Sequence, residues 1–356
     1  MKNIRSLSGK ILTLLTALAL CLGTASCGKK EQAELPEIYV ESEFAQLRTV
    51  IVSRSELTDS VLPVSQSYVK PEELDPERTE IKDGRIYMHP DTAVIERMEK
   101  ERLELIKVLE KYGVEVLRPR KLTQAELDLA TDPDGPTHGN GLSNFFVRDP
   151  FIVVGDRVIE ANFRKEYRRY EALTARDIFL GRCSYVSLPG YDIADSEAGP
   201  FLEGGDVIVY HKQVFVGNSG YGSNSAGIEW LRDYLEPFGY EVTEVRLKGL
   251  ILHLDCALSL VREGLMIVCE DSFADGIPEA FRDWDRITVP ESDARRLAVN
   301  GLPVNEEVYI TDVAFADTIG RQLEQRGIKV EYLDLSATRR FAGSAHCSTL
   351  GVLRAD

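Results

Sequence analysis

Phe238-Gly239-Tyr240-Glu241-Val242 is the middle of three copies of one phrase, the others being Tyr112-Gly113-Val114-Glu115-Val116 and Arg326-Gly327-Ile328-Lys329-Val330. In each, the glycine stands where a helix ends on a left-handed residue, and the alternating residues after it suit a strand. Apolar spacing predicts the preceding helices over 92–111, 225–236 and 313–325. A helix, a glycine and a strand recurring at long intervals mark an internal repeat.

Outward from these phrases lie hairpins, each a pair of short apolar strands around a polar turn. Strand 151–154 turns at Gly155-Asp156 into 158–161, and 207–210 turns near His211-Lys212 into 214–217. Strand 257–261 turns at Glu263-Gly264 into 265–269, and 297–304, interrupted by Gly301, turns at Asn305-Glu306 into 308–311. The predicted unit is strand, strand, helix, strand, with four copies starting near residues 151, 206, 256 and 297. A fifth takes its first strand from 348–354 and its second from 49–53, followed by the 92–111 helix and a strand over 114–119. The chain ends then pair and close the ring, which removes exposed sheet edges. The fold class expected is α/β, a five-bladed α/β propeller of ββαβ modules in a single domain.

Chemistry gathers at one place in this repeat, just before the first strand of a module. Arg148 and Asp149 precede module one, Glu203-Gly204-Gly205-Asp206 module two, His253-Leu254-Asp255 module three, and His346-Cys347 module five. In a ring these positions converge on the axis. Each string has an ordinary alternative, since Arg-Asp-Pro and Gly-Gly-Asp build turns and a His-x-Asp pair suits a strand edge. The recurrence of one motif per module favours the chemical reading. No second histidine stands at ligand spacing, so no metal is expected, and no cofactor. His89, His138 and His211 show no partner pattern.

The first 26 residues read as a leader: Lys2, Arg5 and Lys10, then an apolar run over 11–22 too short to span a bilayer comfortably. Gly23-Thr24-Ala25-Ser26-Cys27 resembles a bacterial lipobox, with Thr24 where an aliphatic residue is usual, and marks Cys27 for lipidation. The alternative is an ordinary secretory signal. Residues 27–43 read as a flexible tether and 44–356 as the catalytic domain. The destination expected is the cell envelope, as an outer-membrane lipoprotein in contact with the membrane through its lipid alone. The formal net charge of −16 becomes more negative without the leader and offers no basic patch to nucleic acid. The cysteines are too few and scattered for a disulfide scaffold. Cys183, Cys256 and Cys269 are expected to pack as small apolar residues, while the facing strands of Cys256 and Cys269 allow a disulfide.

Phe146-Val147-Arg148-Asp149-Pro150, Leu202-Glu203-Gly204-Gly205-Asp206, Leu252-His253-Leu254-Asp255 and Ala345-His346-Cys347-Ser348 together resemble, in order, the four motif blocks of the amidinotransferase and arginine deiminase superfamily. Gly155–Glu160 and Gly227–Leu231 are similar to the glycine amidinotransferase branch. The resemblance spans about 47–354 and implies the same five-bladed fold. It implies that Asp149 and Asp255 hold a guanidinium, that Glu203 orients His253, that the Cys347 thiolate attacks the guanidino carbon, and that His253 protonates the departing amine. Arg148, Asp206 and Arg340 are further candidates to line the substrate pocket. A delocalised guanidinium needs such a site, with carboxylates to desolvate and grip it and a strong nucleophile to attack it.

Three features depart from the amidinotransferase branch. Glu203 replaces an aspartate and matches the deiminases. Glu270-Asp271-Ser272-Phe273 lacks the arginine that grips an α-carboxylate, a role open to Arg164, Arg168, Arg339 or Arg340. Gly343-Ser344-Ala345 has fewer glycines than the usual lead into the nucleophile. The expected activity is amidino transfer from arginine or a related guanidine to an amine. The alternatives are hydrolysis by a guanidine deiminase, with water as acceptor, and a non-catalytic envelope lipoprotein that binds a small cation.

Overall fold

Val207–Tyr210 and Gln213–Asn218 pair antiparallel, and Glu241–Arg246 lies parallel on the far side of Gln213–Asn218. Between them the helix Ser225–Leu235, capped by Asn224, carries the chain back and ends through a short turn on Gly239 at φ 78°. A parallel neighbour needs such a crossover, and the left-handed glycine provides the stop. The computed structural model describes residues 37–355 apart from 67–69, 75, 77–78, 90, 133, 135–136, 138 and 189–197. Cys27, the leader and His138 lie outside these. The described residues form one compact α/β unit.

The same three-stranded order occurs five times. Module one joins Phe151–Val154, Arg157–Glu160 and Ser184–Ser187. Module three joins Leu258–Arg262, Leu265–Val268 and Asp285–Thr288, and module four Leu302–Asn305, Val308–Asp312 and Lys329–Leu333. Module five is built from both chain ends, with Thr349–Arg354 antiparallel to Leu47–Val52 and Glu115–Leu117 parallel to the latter. Gly113 and Gly327, at φ 73° and 80°, repeat the role of Gly239.

Buried clusters link each module to the next. Ile152 and Val154 of module one pack with Val207 and Val209 of module two. Ile208 and Phe215 join Leu258 and Tyr309 of modules three and four, and Leu302 and Val304 join Leu47 and Val50 of module five. Ile51 and Val352 of module five pack with Phe151 and Val153 of module one, which returns the contacts to their start.

Several expectations are corrected. The helix over 92–111 is present, whereas 313–325 is a short 3-10 turn, a π turn and the helix Arg321–Gln325. Module three has no α-helix: Gly276 at φ 83° and the ring of Pro278 leave only 3-10 turns between its second and third strands. Residues 297–301 are not strand, because Leu297 adopts φ 71° and the chain turns to present Asn300. An additional antiparallel sheet, Ser60–Pro63, Thr79–Lys82 and Arg85–Met88, lies between the first strand of the chain and the 92–111 helix.

The tether expected over 27–43 does not extend over 38–43. Residues 38–44 form a strap built into the domain, with Ile38, Val40, Glu43 and Phe44 buried. Tyr39 N–H donates to Val352 O at 2.9 Å, Val40 and Gly155 exchange backbone bonds, and His211 N–H donates to Glu41 O at 2.6 Å. The strap thus crosses modules five, one and two, and its apolar residues are buried there rather than left in water as a tether requires.

Candidate active site

The five expected residues sit on short turns that lead into first strands, and backbone bonds lock the turns together. Gly204 N–H donates to Asp149 O at 2.8 Å, and Arg148 N–H to Cys347 O at 3.3 Å. Asp206 accepts from Leu254 N–H at 3.1 Å and Ser223 N–H at 2.9 Å. Module four, which carried no expected motif, contributes Asn300 at the equivalent place. Its Oδ1 accepts from Ser344 N–H and Cys347 N–H, both at 3.1 Å, and its Nδ2 donates to Asp255 O at 3.2 Å. All five modules therefore supply the centre.

Asp149, Glu203, His253, Asp255 and Cys347 are each no more than 3% exposed. His253 Nε2 lies 2.9 Å from Glu203 Oε2, and its Nδ1 3.6 Å from Asp149 Oδ1. Gly222 backs the ring so closely that a Cβ there would fall 3.1 Å from His253 Cδ2 and 2.9 Å from Asp206 Oδ2. Asp149 Oδ1 is buried with no hydrogen-bond partner. Across the centre, Cys347 Sγ is 3.5 Å from Asp255 Oδ2, which His346 Nδ1 also contacts at 2.8 Å. His346 Nε2 in turn lies 3.3 Å from Glu43 Oε2 on the strap.

Burial pulls the His253 pKa down, but Asp149, Asp206 and Glu203 outweigh it and raise it well above the ordinary value. Glu203 is lowered against burial by its His253 hydrogen bond and by the charges of His253, Arg168 and Lys165. Burial favours protonated Glu43 and Asp255, yet their His346 contacts and neighbouring positive charges hold both at about 2. For Cys347, contact with Cys256 favours ionisation, while burial, Asp255 and Asp149 oppose it and the thiol pKa is raised. A cation placed against these carboxylates is what the thiolate lacks.

The remaining candidates divide. Asp206, raised to about 7 chiefly by burial, has its oxygens committed to backbone donors and braces the second and third turns. Arg148 Nε donates to Thr349 O at 3.0 Å and ties module one to module five. Both are buried, and the hydrogen bonds of both run to neighbouring turns and strands. Arg168 is half-buried against Asp149 Oδ2 at 2.8 Å, Glu171 at 2.9 Å and Glu203 at 3.6 Å, so its guanidinium is shared among three carboxylates. Arg164 donates to Gly222 O and Arg339 to Asp312. Arg340 is exposed after the helix Ser336–Arg339, outside the buried group. Cys256 and Cys269 are free thiols: Cys256 turns to Asp255 Oδ1 at 3.4 Å, and Cys269 accepts from Ser272. Asp255, Cys256 and Cys347 place their ligand atoms within 4.8 Å of one another, a set a soft divalent ion could use.

Residues 85–354 match the family model described as N,N dimethylarginine dimethylhydrolase, eukaryotic. The chain belongs to this family. Inosamine-phosphate amidinotransferase 1 of Streptomyces glaucescens is 29% identical over 297 residues, 75% of this chain and 82% of that protein. An amidinotransferase of the saxitoxin biosynthetic pathway from Microseira wollei superposes with a TM-score of 0.72 at 23% identity, covering 90% of this chain and 98% of that one. The dimethylarginine dimethylaminohydrolase of Pseudomonas aeruginosa, as a mutant complexed with citrulline, superposes with a TM-score of 0.58 at 19% identity over 86% of this chain and 99% of that one. Membership of this guanidino-modifying family agrees with the resemblance carried by the four blocks. Glu43 and Asn300 were not expected at the centre, and His346, expected there beside Cys347, had been given no role. Of these, Asn300 had a readable signal, its place just before a first strand.

Proposed function

We propose that this family member transfers an amidino group from a guanidine to an amine through a covalent intermediate on Cys347. The observation that carries this is the disposition of the buried centre: a thiol beside Asp255, a proton-carrying His253 beside Glu203, and the unpartnered Asp149 Oδ1 between polar groups. A guanidinium that donates to Asp149 and Asp255 places a positive charge next to Cys347 and brings its pKa down. The thiolate attacks the guanidino carbon, and the C–N bond to the departing amine breaks as His253 protonates that nitrogen. His253 then takes a proton from the acceptor amine, whose nitrogen attacks the amidino carbon and releases the thiolate. General acid–base catalysis of this kind contributes about 10²- to 10⁴-fold.

Transfer is supported by the amidinotransferases among the relatives, and hydrolysis, with water as acceptor, by the hydrolase family model and by Glu203. We take the five modules to form a pseudo-fivefold propeller with this centre on its axis, a reading supported by the cycle of shared cores and the pairing of the first and last strands. Lipidation at Cys27 and residence in the cell envelope rest on the leader motif.

Incubation of the reduced protein with arginine, with and without glycine or other amines, and mass spectrometry of the products tests the activity. Ornithine with a new guanidino compound supports transfer, citrulline with ammonia replaces it by hydrolysis, and no turnover over a panel of guanidines overturns both.

A further inference from the structure

Among the described residues, Cys256 is the buried thiol beside the centre that this chemistry leaves idle. It shares Asp255 with Cys347, since Cys256 Sγ faces Oδ1 at 3.4 Å while Cys347 Sγ faces Oδ2 at 3.5 Å. The two sulfurs and the carboxylate lie within 4.8 Å of one another, and both thiols are free and buried. Disulfide closure needs the sulfurs at about 2.05 Å, so the two approach each other from this separation. The other buried cysteine, Cys269, is occupied by Ser272.

We propose that Cys256 is the resolving thiol of Cys347, so that oxidation of the nucleophile ends in a reversible Cys256–Cys347 disulfide. The oxidant class is a hydroperoxide. The Cys347 thiolate attacks one peroxide oxygen, an S–O bond forms, the O–O bond breaks and hydroxide leaves. The Cys256 sulfur then attacks the Cys347 sulfur, the S–O bond breaks, and the departing hydroxide takes the Cys256 proton as water. Two thiols lose two electrons and hydrogen peroxide becomes two waters. Cys256 is the partner held beside Cys347 for this second step. Without such a partner a sulfenic acid proceeds to sulfinic acid, which thiols do not reduce.

The inference takes from the proposed function only that Cys347 is the reactive thiol, and its test requires no turnover. Tryptic cleavage leaves Cys256 in 249–262 and Cys347 in 341–354, with Cys269 in 263–282 and Cys183 in 183–212, each the sole cysteine of its peptide. The reduced full chain is treated with hydrogen peroxide at mildly alkaline pH, alkylated under denaturing conditions, digested and weighed. The expected product joins 249–262 to 341–354 with the loss of two hydrogens, and dithiothreitol restores full alkylation of both. In Cys256→Ser the same treatment is expected to leave sulfinic acid on Cys347, with several-fold less of its alkylation recovered by dithiothreitol. A cross-link to Cys183 or Cys269 instead, or equal recovery of Cys347 in wild type and Cys256→Ser, overturns the proposal. Cross-linking in a protein that turns over no guanidine leaves this inference standing and sinks the proposed function alone.

Discussion

Asp149 gives one carboxylate oxygen to Arg168 and keeps the other buried without a hydrogen-bond partner. A buried acceptor left open is costly unless a ligand fills it. Asp149→Asn replaces a charge-assisted contact worth about 1.5–3 kcal/mol, so kcat/KM for a guanidine should fall roughly 10- to 100-fold. Thermal unfolding separates this from misfolding, and an unchanged kcat/KM removes Asp149 from the substrate site. Cys347→Ala should abolish turnover while the melting temperature moves little, and acid quench of the wild type should place the amidino mass on peptide 341–354. Because three carboxylates raise the His253 pKa, its acid form persists to higher pH than an ordinary imidazole. The alkaline limb of kcat should therefore lie above the usual histidine range, and Glu203→Gln should move it down. These five residues were legible because each stands just before a first strand, a place the repeat defines. Glu43 was not, since nothing in the strap's sequence signals that residue 43 meets residue 346.

The strap is the element whose removal is easiest to read. Ile38, Val40 and Phe44 are buried, and full burial of such side chains is worth about 1.5–3 kcal/mol each. A chain starting at residue 37 should melt like one starting at residue 28, whereas one starting at 45 should lose several degrees or fail to fold; equal melting of all three would show that the strap does not contribute. The predicted tether ran on to residue 43 because a short segment that pairs with three modules carries no periodicity of its own. The helix over 92–111 was readable from a long amphipathic pattern with a glycine stop. The helix expected in module three was extrapolated from its siblings and fails at Gly276 and Pro278. The extra sheet was overlooked although its hairpin turns on Asp83-Gly84, at φ 52° and 71°, a strong short-range signal that lay outside the repeat.

At the scale of the molecule, the repeat explains why remote turns meet, because each module buries an apolar face against the next and the last against the first. Charge is concentrated where they meet. Glu43 and Asp255, held at about 2 against ordinary values of 4.5 and 3.8, stabilise the fold fully above those ordinary values and lose this as pH falls through the folded ones. The urea midpoint should accordingly drop as pH falls from about 4.5 toward 2, and Glu43→Gln should make that drop shallower. A midpoint with the same acid slope in the variant would remove Glu43 from the coupling. Beneath the centre, the strap seats Glu43 against His346, with Arg148 and Arg354 lining the same small cavity. On that side the centre is backed by buried groups, Glu43, Arg148, His346 and Arg354. On the proposed transfer chemistry the amidino group waits on Cys347 between two reactions at the same carbon, so the first product departs before the acceptor takes its place. Initial rates measured at several fixed acceptor concentrations should give parallel double-reciprocal lines, the signature of a double-displacement enzyme.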